Sequence, residues 1–287
     1  MKRPYTVCHI FSALDGAIVG NYMATAESRA AQKQYGEKRS FFNCNAILYG
    51  TTTMLDFCNG YVESLPETMP AAREDYVSPD AKASLVIAID RHGKLAYSQN
   101  YLDRHGVRSH IIEVLTENVS SAYINYLRQR DISYIFAGKN DLDCAVCMEK
   151  LYQLFGIERL MIAGGGYIDW VFADSGMIDE LSLVLAPAAD GEQKVTVFER
   201  TDKSKNRAIG FALKEVKQLD GDTVWPFGAE ARAEEWQPRS VLTEYSSLAA
   251  RQVFRSRQPL SFSTRDTAII TRTANLPHLC AWAKATV

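Results

Sequence analysis

Three consecutive glycines, Gly164, Gly165 and Gly166, separate two apolar segments of different periodicity. Residues 157–163 read as a short buried strand, whereas residues 167–174 carry bulky apolar side chains at helical spacing. A strand that turns through glycines into a helix leaves free backbone N–H groups at the positive end of the helix dipole. Because glycine has no Cβ, a diphosphate can approach this backbone closely. The pattern predicts a nucleotide-phosphate site, and the alternative is a tight turn that needs positive φ.

Four segments with such chemistry lie at the carboxyl ends of predicted strands, where open α/β sheets bind ligands. They are residues 13–16, 50–53, 90–91 and 164–166. Thr51, Thr52 and Thr53 offer hydroxyls and amides to a second phosphate, and the alternative is plain N-capping. Asp15 is the best-placed carboxylate for orienting a substrate or relaying a proton through water. The alternative for Asp15 is a role as the first residue of an Asp-Gly turn.

Two other signatures bear on the class of chemistry. No GxGxxG follows an N-terminal strand, so a nicotinamide cofactor would require a fold other than the Rossmann fold. Cys144 and Cys147 have the spacing of a metal or redox pair, but the sequence has no second CxxC and no nearby His. We therefore expect these two cysteines to be buried structural thiols and predict no metal site.

The elements that position these residues alternate between strand-like and helix-like segments, which predicts an α/β domain. Strands are predicted at residues 5–13, 46–50, 84–90, 109–115, 132–137, 159–163 and 178–186. Helices are predicted at residues 27–42, 120–130, 142–155 and 167–174, and another begins at residue 51. Residues 59–79 are predicted to form a long loop. A closing hairpin is predicted from residues 208–219 and 223–225, joined by an Asp-Gly-Asp turn.

Composition narrows the class of partner. The chain has 287 residues, 47% of them hydrophobic, and a formal net charge of -2. This balance argues against nucleic acid or an anionic membrane as the main partner. No stretch approaches the roughly 20 apolar residues of a membrane span, and the N-terminus lacks the apolar centre of a signal peptide. We therefore expect a cytoplasmic protein with reduced cysteines and a small-molecule substrate.

The C-terminal segment differs in character. Residues 228–287 are rich in Ser, Thr and Arg and have no sustained hydrophobic period. They form either a small or partly disordered appendage, or non-native sequence added where the original terminus was lost. The second interpretation follows because residues 223–225 look like a last strand that stops at Pro226. The predicted organisation is a domain over residues 1–227 and an atypical extension over residues 228–287, to which we assign no chemistry.

Four motifs, in order, resemble the signature set of the riboflavin-biosynthesis reductase domain of the RibD C-terminal type. They are residues 12–16 (SALDG), residues 46–53 (AILYGTTT), residues 164–166 (GGG), and residues 176–180 (GMIDE) followed by 186–187 (AP). The resemblance spans residues 4–225. It implies the dihydrofolate reductase-like fold, a three-layer α/β arrangement whose mixed, mostly parallel sheet of roughly eight or nine strands is flanked by helices. It also implies NADPH-dependent hydride transfer to a ribosylamino-pyrimidine phosphate, and a homodimer.

The resemblance further implies where the cofactor lies. The nicotinamide and the substrate would border Ala13, Leu14, Asp15 and Gly16. The adenosine 2′-phosphate end would lie at Gly50 and Thr53, with Thr51 and Thr52 beside them. The diphosphate would lie on Gly164, Gly165, Gly166 and Tyr167. Asp179 and Glu180 match an acidic pair of the family, which we expect to fix the following strand and not to act as a catalytic acid.

This chain departs from the family pattern at three places. Ala163 stands where the family commonly has an acidic residue that contacts substrate, Thr51 replaces a frequent basic residue, and residues 54–57 lack an Asp-Asp-Pro sequence. The expected function is an NADPH-dependent reductase of a heterocyclic or ribosylamino-type substrate. The alternatives are a dihydrofolate or pterin-type reductase, a nucleotide-binding protein that has lost turnover, and a phosphate-binding α/β protein without nicotinamide.

Overall fold

The computed structural model describes residues 2–66, 69–82, 84–104, 106–192, 195–200 and 208–231. All of them belong to one compact unit. The strands are β1 (Tyr5–Ser12), β2 (Ala46–Gly50), β3 (Leu85–Ile89), β4 (Tyr101–Arg104), β5 (Val107–Leu115), β6 (Ser133–Phe136), β7 (Arg159–Ile162), β8 (Glu180–Leu185), β9 (Phe211–Ala212), β10 (Glu215–Gln218) and β11 (Val224–Ala231). The helices are α1 (Ala26–Phe41), α2 (Thr51–Leu55), α3 (Ser121–Gln129), α4 (Cys144–Phe155) and α5 (Gly166–Asp174), and a 3-10 turn spans Asn21–Ala24.

One sheet contains these eleven strands, in the order β10-β11-β8-β1-β7-β2-β3-β5-β4, with β6 also paired to β5 and β9 to β11. The strands β8, β1, β7, β2, β3, β5 and β6 are mutually parallel. Antiparallel pairing is confined to β4 on one side and to β9, β10 and β11 on the other. The predicted mixed, mostly parallel sheet is therefore confirmed, but its eleven strands exceed the eight or nine that the resemblance implies. In the described part of the chain, no helix is long and apolar enough to span a bilayer.

Alternate strand residues point to opposite sides, so the sheet has an apolar surface on each face. Helices cover both faces, which gives three layers. On one face Leu48, Ile87 and Ile162 belong to a core that includes buried residues of α4 and α5. On the other face two separate clusters form, one around α1 and one around α3. Tyr49 belongs to the α3 cluster and Met161 to the α1 cluster. A cavity lies on the sheet between these two clusters.

The helices begin in two different ways. Thr25, Ser120 and Asp143 cap α1, α3 and α4, since each side chain accepts a backbone N–H of the first turn. The helices α2 and α5 instead begin at Gly50 and Gly165, which have no side chain to accept a hydrogen bond. The first amides of α2 and α5 are thus not capped by the preceding residue. Both helices directly follow parallel strands, β2 and β7, at the same edge of the sheet.

Other predicted features are confirmed by their contacts. Asp179 pairs with Arg3 at 2.6 Å and accepts the backbone N–H of Thr6 at 2.8 Å. The hydroxyl of Tyr5 donates to Glu180 at 2.9 Å. The acidic pair therefore fixes β8 against β1, as expected. Cys144 and Cys147 are buried in α4, as expected for structural thiols.

Three predicted boundaries are wrong. The strand β4 (Tyr101–Arg104) has no counterpart among the predicted strands, and residues 208–219 contain two short strands in place of one hairpin arm. The last strand does not stop at Pro226, because β11 continues to Ala231. Pro226 lies opposite Val216 of β10, and the pairing of β11 with β8 shifts register between Phe227 and Ala229. Such an irregularity tolerates proline. From residue 232 onward, the predicted C-terminal extension lies outside the described residues.

Candidate active site

The glycine turn joins β7 to α5 as the sequence predicts. Gly164 has a φ of +93°, the peptide bond between Gly164 and Gly165 is cis, and Gly165 is the N-cap of α5. In the described part of the chain, the N–H groups of Gly165, Gly166 and Tyr167 have no hydrogen-bond acceptor. Three amides without acceptors at the positive end of a nine-residue helix form an anion-binding arrangement.

The glycines of this turn serve different purposes. A Cβ on Gly166 would lie 2.0 Å from the carbonyl oxygen of Thr196, so the fold itself requires glycine at that position. A Cβ on Gly165 would meet nothing closer than Thr53 Oγ1, at 3.8 Å, and the φ of Gly165 is −79°. The fold therefore accommodates a side chain at Gly165, although the space above this residue belongs to the anion-binding arrangement.

The exit of β2 packs directly against the glycine turn. The N–H of Gly50 donates to the carbonyl of Gly164 at 3.3 Å, and a Cβ on Gly50 would lie 2.7 Å from Cγ1 of Ile168. The structure thus brings together the second and fourth predicted segments. The hydroxyl of Thr51 donates to the carbonyl of Ile89 at 2.7 Å. This hydrogen bond connects the start of α2 to the end of β3. The side chain of Thr53 faces Gly165, whereas Thr52 is exposed.

The exit of β1 forms a tight turn that contacts the segment after β8. Ala13 is buried, Leu14 is 63% exposed, and Gly16 has a φ of +84°. The carboxylate of Asp15 accepts the backbone N–H groups of Asp190 at 2.9 Å and Gly191 at 2.8 Å. These donors, led by Gly191, lower the pKa of this exposed carboxyl below its usual value. Asp15 therefore holds a loop in place, and its predicted catalytic role stays a prediction.

A segment that the sequence did not single out joins these two turns. In residues 195–200, the N–H of Val197 donates to the carbonyl of Gly16 at 3.1 Å. Two residues later, the N–H of Glu199 donates to the carbonyl of Gly166 at 2.9 Å. No periodicity marks this segment, because it has neither helix nor strand. It fixes the exit of β1 beside the glycine turn, which places the predicted nicotinamide and diphosphate contacts at one edge.

The exit of β3 supplies a cation to the same edge. The guanidinium of Arg91 donates to the hydroxyl of Tyr167 at 3.3 Å and forms a salt bridge with Asp141. The Cζ of Arg91 lies 5.3 Å from the ring centroid of Tyr167. The sequence marked residues 90–91 by their place after a strand, but nothing in it indicated the contact with Tyr167. The neighbouring Asp90 is buried, and its carboxylate accepts the N–H of Leu95 at 2.8 Å.

A buried carboxyl lies beneath the glycine turn and was missed by the sequence analysis. Asp169 is fully buried, and in the described part of the chain neither of its oxygens has a hydrogen-bond partner. Burial raises the pKa of Asp169 well above its usual value, although the neighbouring thiol of Cys8 acts in the opposite direction. On a helix with apolar spacing, an acidic residue is ordinarily expected on the solvent face.

Comparisons with known proteins identify the family to which the chain belongs. A family model described as the RibD C-terminal domain matches residues 4–225. The chain belongs to this family. It is 24% identical over 193 residues to the 2,5-diamino-6-ribosylamino-4(3H)-pyrimidinone 5′-phosphate reductase of Methanothermobacter thermautotrophicus, and the match covers 66% of this chain and 80% of that protein. The family and this relative support a reductase, as the four motifs predicted.

Solved structures show the same fold. A pyrimidine reductase-like protein from Corynebacterium diphtheriae matches with a TM-score of 0.58 at 12% identity, covering 80% of this chain and 93% of its own. RibD of Acinetobacter baumannii matches with a TM-score of 0.54 at 19% identity, covering 80% of this chain but only 58% of its own length. The riboflavin biosynthesis reductase Rib7 of Saccharomyces cerevisiae matches with a TM-score of 0.50 at 16% identity, covering 80% and 90%. The fold is the dihydrofolate reductase-like one that the motifs imply.

Proposed function

We propose that this chain is an NADPH-dependent reductase that converts a ribosylamino-pyrimidine phosphate into its ribitylamino form. The family and the name of the archaeal relative support this substrate class. The observation that carries the proposal is the meeting of the β2 and β7 exits at Gly165, where backbone amides without acceptors surround a space that a Cβ would fill. Reductases of riboflavin biosynthesis generally use a nicotinamide cofactor.

The residues at this edge fit a dinucleotide. A diphosphate needs several N–H donors, a favourable dipole and the absence of nearby carboxylates. Gly165, Gly166 and Tyr167 provide the donors, and α5 provides the dipole. Asp169 lies just below, and its raised pKa disfavours a repelling negative charge there. We therefore assign the diphosphate to residues 164–167, and the adenosine 2′-phosphate end to Gly50 and Thr53.

Arg91 supplies the positive charge that Thr51 lacks. Its guanidinium already touches Tyr167, the last of the proposed diphosphate contacts. A guanidinium pairs with a phosphate dianion through two parallel hydrogen bonds. We propose that Arg91 extends the 2′-phosphate contacts and gives NADPH its advantage over NADH, which has no phosphate at that position.

The protein contributes mainly positioning to the reaction. When bound, NADPH would supply a hydride to the sugar carbon attached to nitrogen, while the bond from that carbon to the ring oxygen breaks and this oxygen takes a proton from water. Ala13, Leu14 and Gly16 would border the nicotinamide and the substrate and help to position them. Asp15 is held as a carboxylate by three backbone N–H groups, which makes it a poor proton donor near neutral pH. We propose that Asp15 positions the exit of β1 against residues 188–191.

We further propose a homodimer, which the family resemblance implies, and a cytoplasmic location, which the composition and the reduced cysteines predict. The homodimer is checked by light scattering of the purified protein in solution. A mass near 64 kDa, twice the chain mass of 32.1 kDa, is expected, and a mass near that of one chain would contradict it.

The cofactor assignment is tested by titrating the purified protein with NADPH and with NADH, following energy transfer from its four tryptophans. We expect saturable quenching below about 1 mM NADPH and weaker binding of NADH. Quenching by neither would contradict the proposal. Oxidation of NADPH is then followed with a ribosylamino-pyrimidine phosphate and with dihydrofolate. Turnover of dihydrofolate alone would favour the pterin-type alternative, and binding without any turnover would favour the nucleotide-binding protein.

A further inference from the structure

A cavity of about 290 Å³ lies on the face of the sheet that carries α1, away from α5. Its floor consists of β2, β7 and β3 residues, among them Tyr49 and Met161. The helix α1 forms one wall and the hairpin of β4 and β5 forms the other. The volume lies near the lower end of the range for ligand pockets, which suits a fragment the size of a sugar phosphate better than a dinucleotide.

Two arginines face this cavity from opposite walls. Arg39 belongs to α1, and Arg104 belongs to β4. No acidic residue lines the cavity, and in the described part of the chain no carboxylate pairs with either guanidinium. The Nε of Arg39 is buried without any hydrogen-bond acceptor there. Two partly buried cations without a counter-charge are costly unless an anion joins them.

The two guanidiniums are also held in place. The Cζ of Arg104 lies 3.7 Å from the ring centroid of Phe57, and the Cζ of Arg39 lies 4.7 Å from that of Tyr35. The hydroxyl of Tyr49 accepts from Arg104 at 3.5 Å. Arg39 also donates to the hydroxyl of Tyr35 at 3.1 Å. Each guanidinium is thus restrained by a ring and a hydroxyl and has further N–H groups to offer, so little entropy is lost when an anion binds.

The cavity adjoins the proposed cofactor edge. Ile47 pairs with Met161 in register, and the N–H of Ala163 donates to the carbonyl of Leu48. The same register places Tyr49 opposite Ala163, which directly precedes the glycine turn. Met161 lies two residues further from the turn, about 7 Å along the strand. A ligand that meets the nicotinamide at this turn can therefore extend along the sheet into the cavity.

We propose that this cavity binds the phosphate monoester of the reductase substrate, with Arg39 and Arg104 on either side of the phosphate and the hydroxyl of Tyr49 between them. The inference rests on the proposed function, because it requires a substrate that ends in a phosphate. The serine hydroxyls of Ser84 and Ser109, hydrogen-bonded to each other at 2.8 Å, also line the cavity and offer further donors. Because position 163 is alanine, no carboxylate adjoins the cavity there to repel a phosphate.

Calorimetric titration with ribose 5-phosphate, and with ribose as the uncharged probe, tests the proposal on the full chain. We expect ribose 5-phosphate to bind at least about tenfold more tightly than ribose, because the phosphate accepts charge-assisted hydrogen bonds that ribose cannot form. Arg39→Gln and Arg104→Gln should each lower the affinity for ribose 5-phosphate about tenfold or more. The affinity for NADPH should stay unchanged in both variants. Protein saturated with NADPH should bind ribose 5-phosphate as tightly as free protein.

Arg108→Gln is the matched control. Arg108 lies on β5 between two lining residues, but its side chain is 65% exposed and does not line the cavity. This variant should bind ribose 5-phosphate within about twofold of the parent, since an exposed charge at a distance is largely screened. If Arg39→Gln fails to fold, Arg39→Lys keeps the charge and loses only the planar fork, and it should still weaken the probe.

Three results would overturn the inference. They are equal affinity for ribose and ribose 5-phosphate, undiminished ribose 5-phosphate binding in folded arginine variants, and displacement of NADPH by ribose 5-phosphate. Displacement would mean that the phosphate enters the cofactor site. If NADPH binds normally in each case, the reductase proposal stands while the phosphate assignment falls. If NADPH does not bind the parent chain, the reductase proposal itself fails.

Discussion

The two proposed anion sites, the glycine turn and the arginine cavity, would use different kinds of hydrogen-bond donor. At the turn, the donors are backbone amides whose positions follow from a strand, a helix and three adjacent residues, Gly164 to Gly166. In the cavity, the donors are side chains from α1, β2 and β4, residues that lie far apart in the sequence. A site made of backbone is specified locally, whereas a site made of side chains depends on how the whole sheet packs. Substitutions should therefore have different consequences in the two places.

Gly165→Ala should have the largest effect on ligand binding. Its Cβ would meet no protein atom closer than 3.8 Å and would occupy the space assigned to the diphosphate. We expect the Kd for NADPH to rise about 100-fold, because at least one charge-assisted hydrogen bond is lost. Tryptophan energy transfer measures the affinity, and thermal unfolding should give an unchanged Tm.

Gly36→Ala is the control for this substitution. Gly36 lies in α1 without a positive φ, and a Cβ on this residue would have no neighbouring atom within 4 Å. Alanine there should leave NADPH affinity unaltered and raise stability by about 0.5–1 kcal/mol, as expected in a helix interior. Equal NADPH affinity of Gly165→Ala and Gly36→Ala would show that the turn does not hold the cofactor.

Gly166→Ala sharpens the comparison within the turn itself. The added Cβ would lie 2.0 Å from the carbonyl oxygen of Thr196, a backbone atom that cannot rotate away. We expect a loss of about 1–3 kcal/mol in the free energy of unfolding. Calorimetry should then show a Tm lower by several degrees. A variant with the parent's Tm would mean that residues 195–200 do not pack on this turn.

Arg91→Gln should affect the choice between cofactors more than stability. Removing the guanidinium should lower the affinity for NADPH about tenfold, which corresponds to the loss of one charge-assisted hydrogen bond. The affinity for NADH should change by less than about twofold, because it has no 2′-phosphate. Titration of the variant with both cofactors gives the ratio directly. An equal loss of affinity for NADPH and NADH would mean that Arg91 contacts the diphosphate or only supports the fold.

Asp169→Asn tests the buried acid through pH. Burial raises the pKa of Asp169, so the folded chain keeps a proton that the unfolded chain releases above about pH 4. The free energy of unfolding therefore falls as pH rises from that value to the folded-state pKa. The asparagine variant does not titrate, and its stability relative to the parent should rise by about 1.4 kcal/mol per pH unit over this interval. Denaturant unfolding at several pH values measures the difference, and parallel curves would contradict the raised pKa.

Much of the fold and of the backbone site was predictable from local sequence. The strand at residues 46–50 is found as predicted, and the exits of β1, β2, β3 and β7 meet at one edge because parallel strands share their carboxyl ends. Glycine at 164–166 predicted a turn from a strand into a helix, which the structure has, whereas the approach of a diphosphate to this turn stays a prediction. These features depend on periodicity and on residues adjacent in the chain.

The rest depends on tertiary packing that no local pattern records. Tyr101–Arg104 has only four residues, and its pairing exists solely through β5. Pro226 ordinarily ends a strand, but the register shift in β11 accommodates it. Arg39 lies within the predicted helix at residues 27–42, but no local pattern could show that the hairpin of β4 and β5 places Arg104 opposite it. Asp169 faces Cys8 because the turn before it fixes the rotation of α5.

The contact between Gly50 and Ile168 constrains how this protein can vary during evolution. A Cβ at position 50 would lie 2.7 Å from Cγ1 of Ile168, so any larger residue there requires a smaller one on α5. The two positions are 118 residues apart, yet neither should change independently in homologous chains. Alanine at 50 should be found together with alanine or glycine at 168, and Gly50→Ala with Ile168→Ala should restore what the first substitution loses.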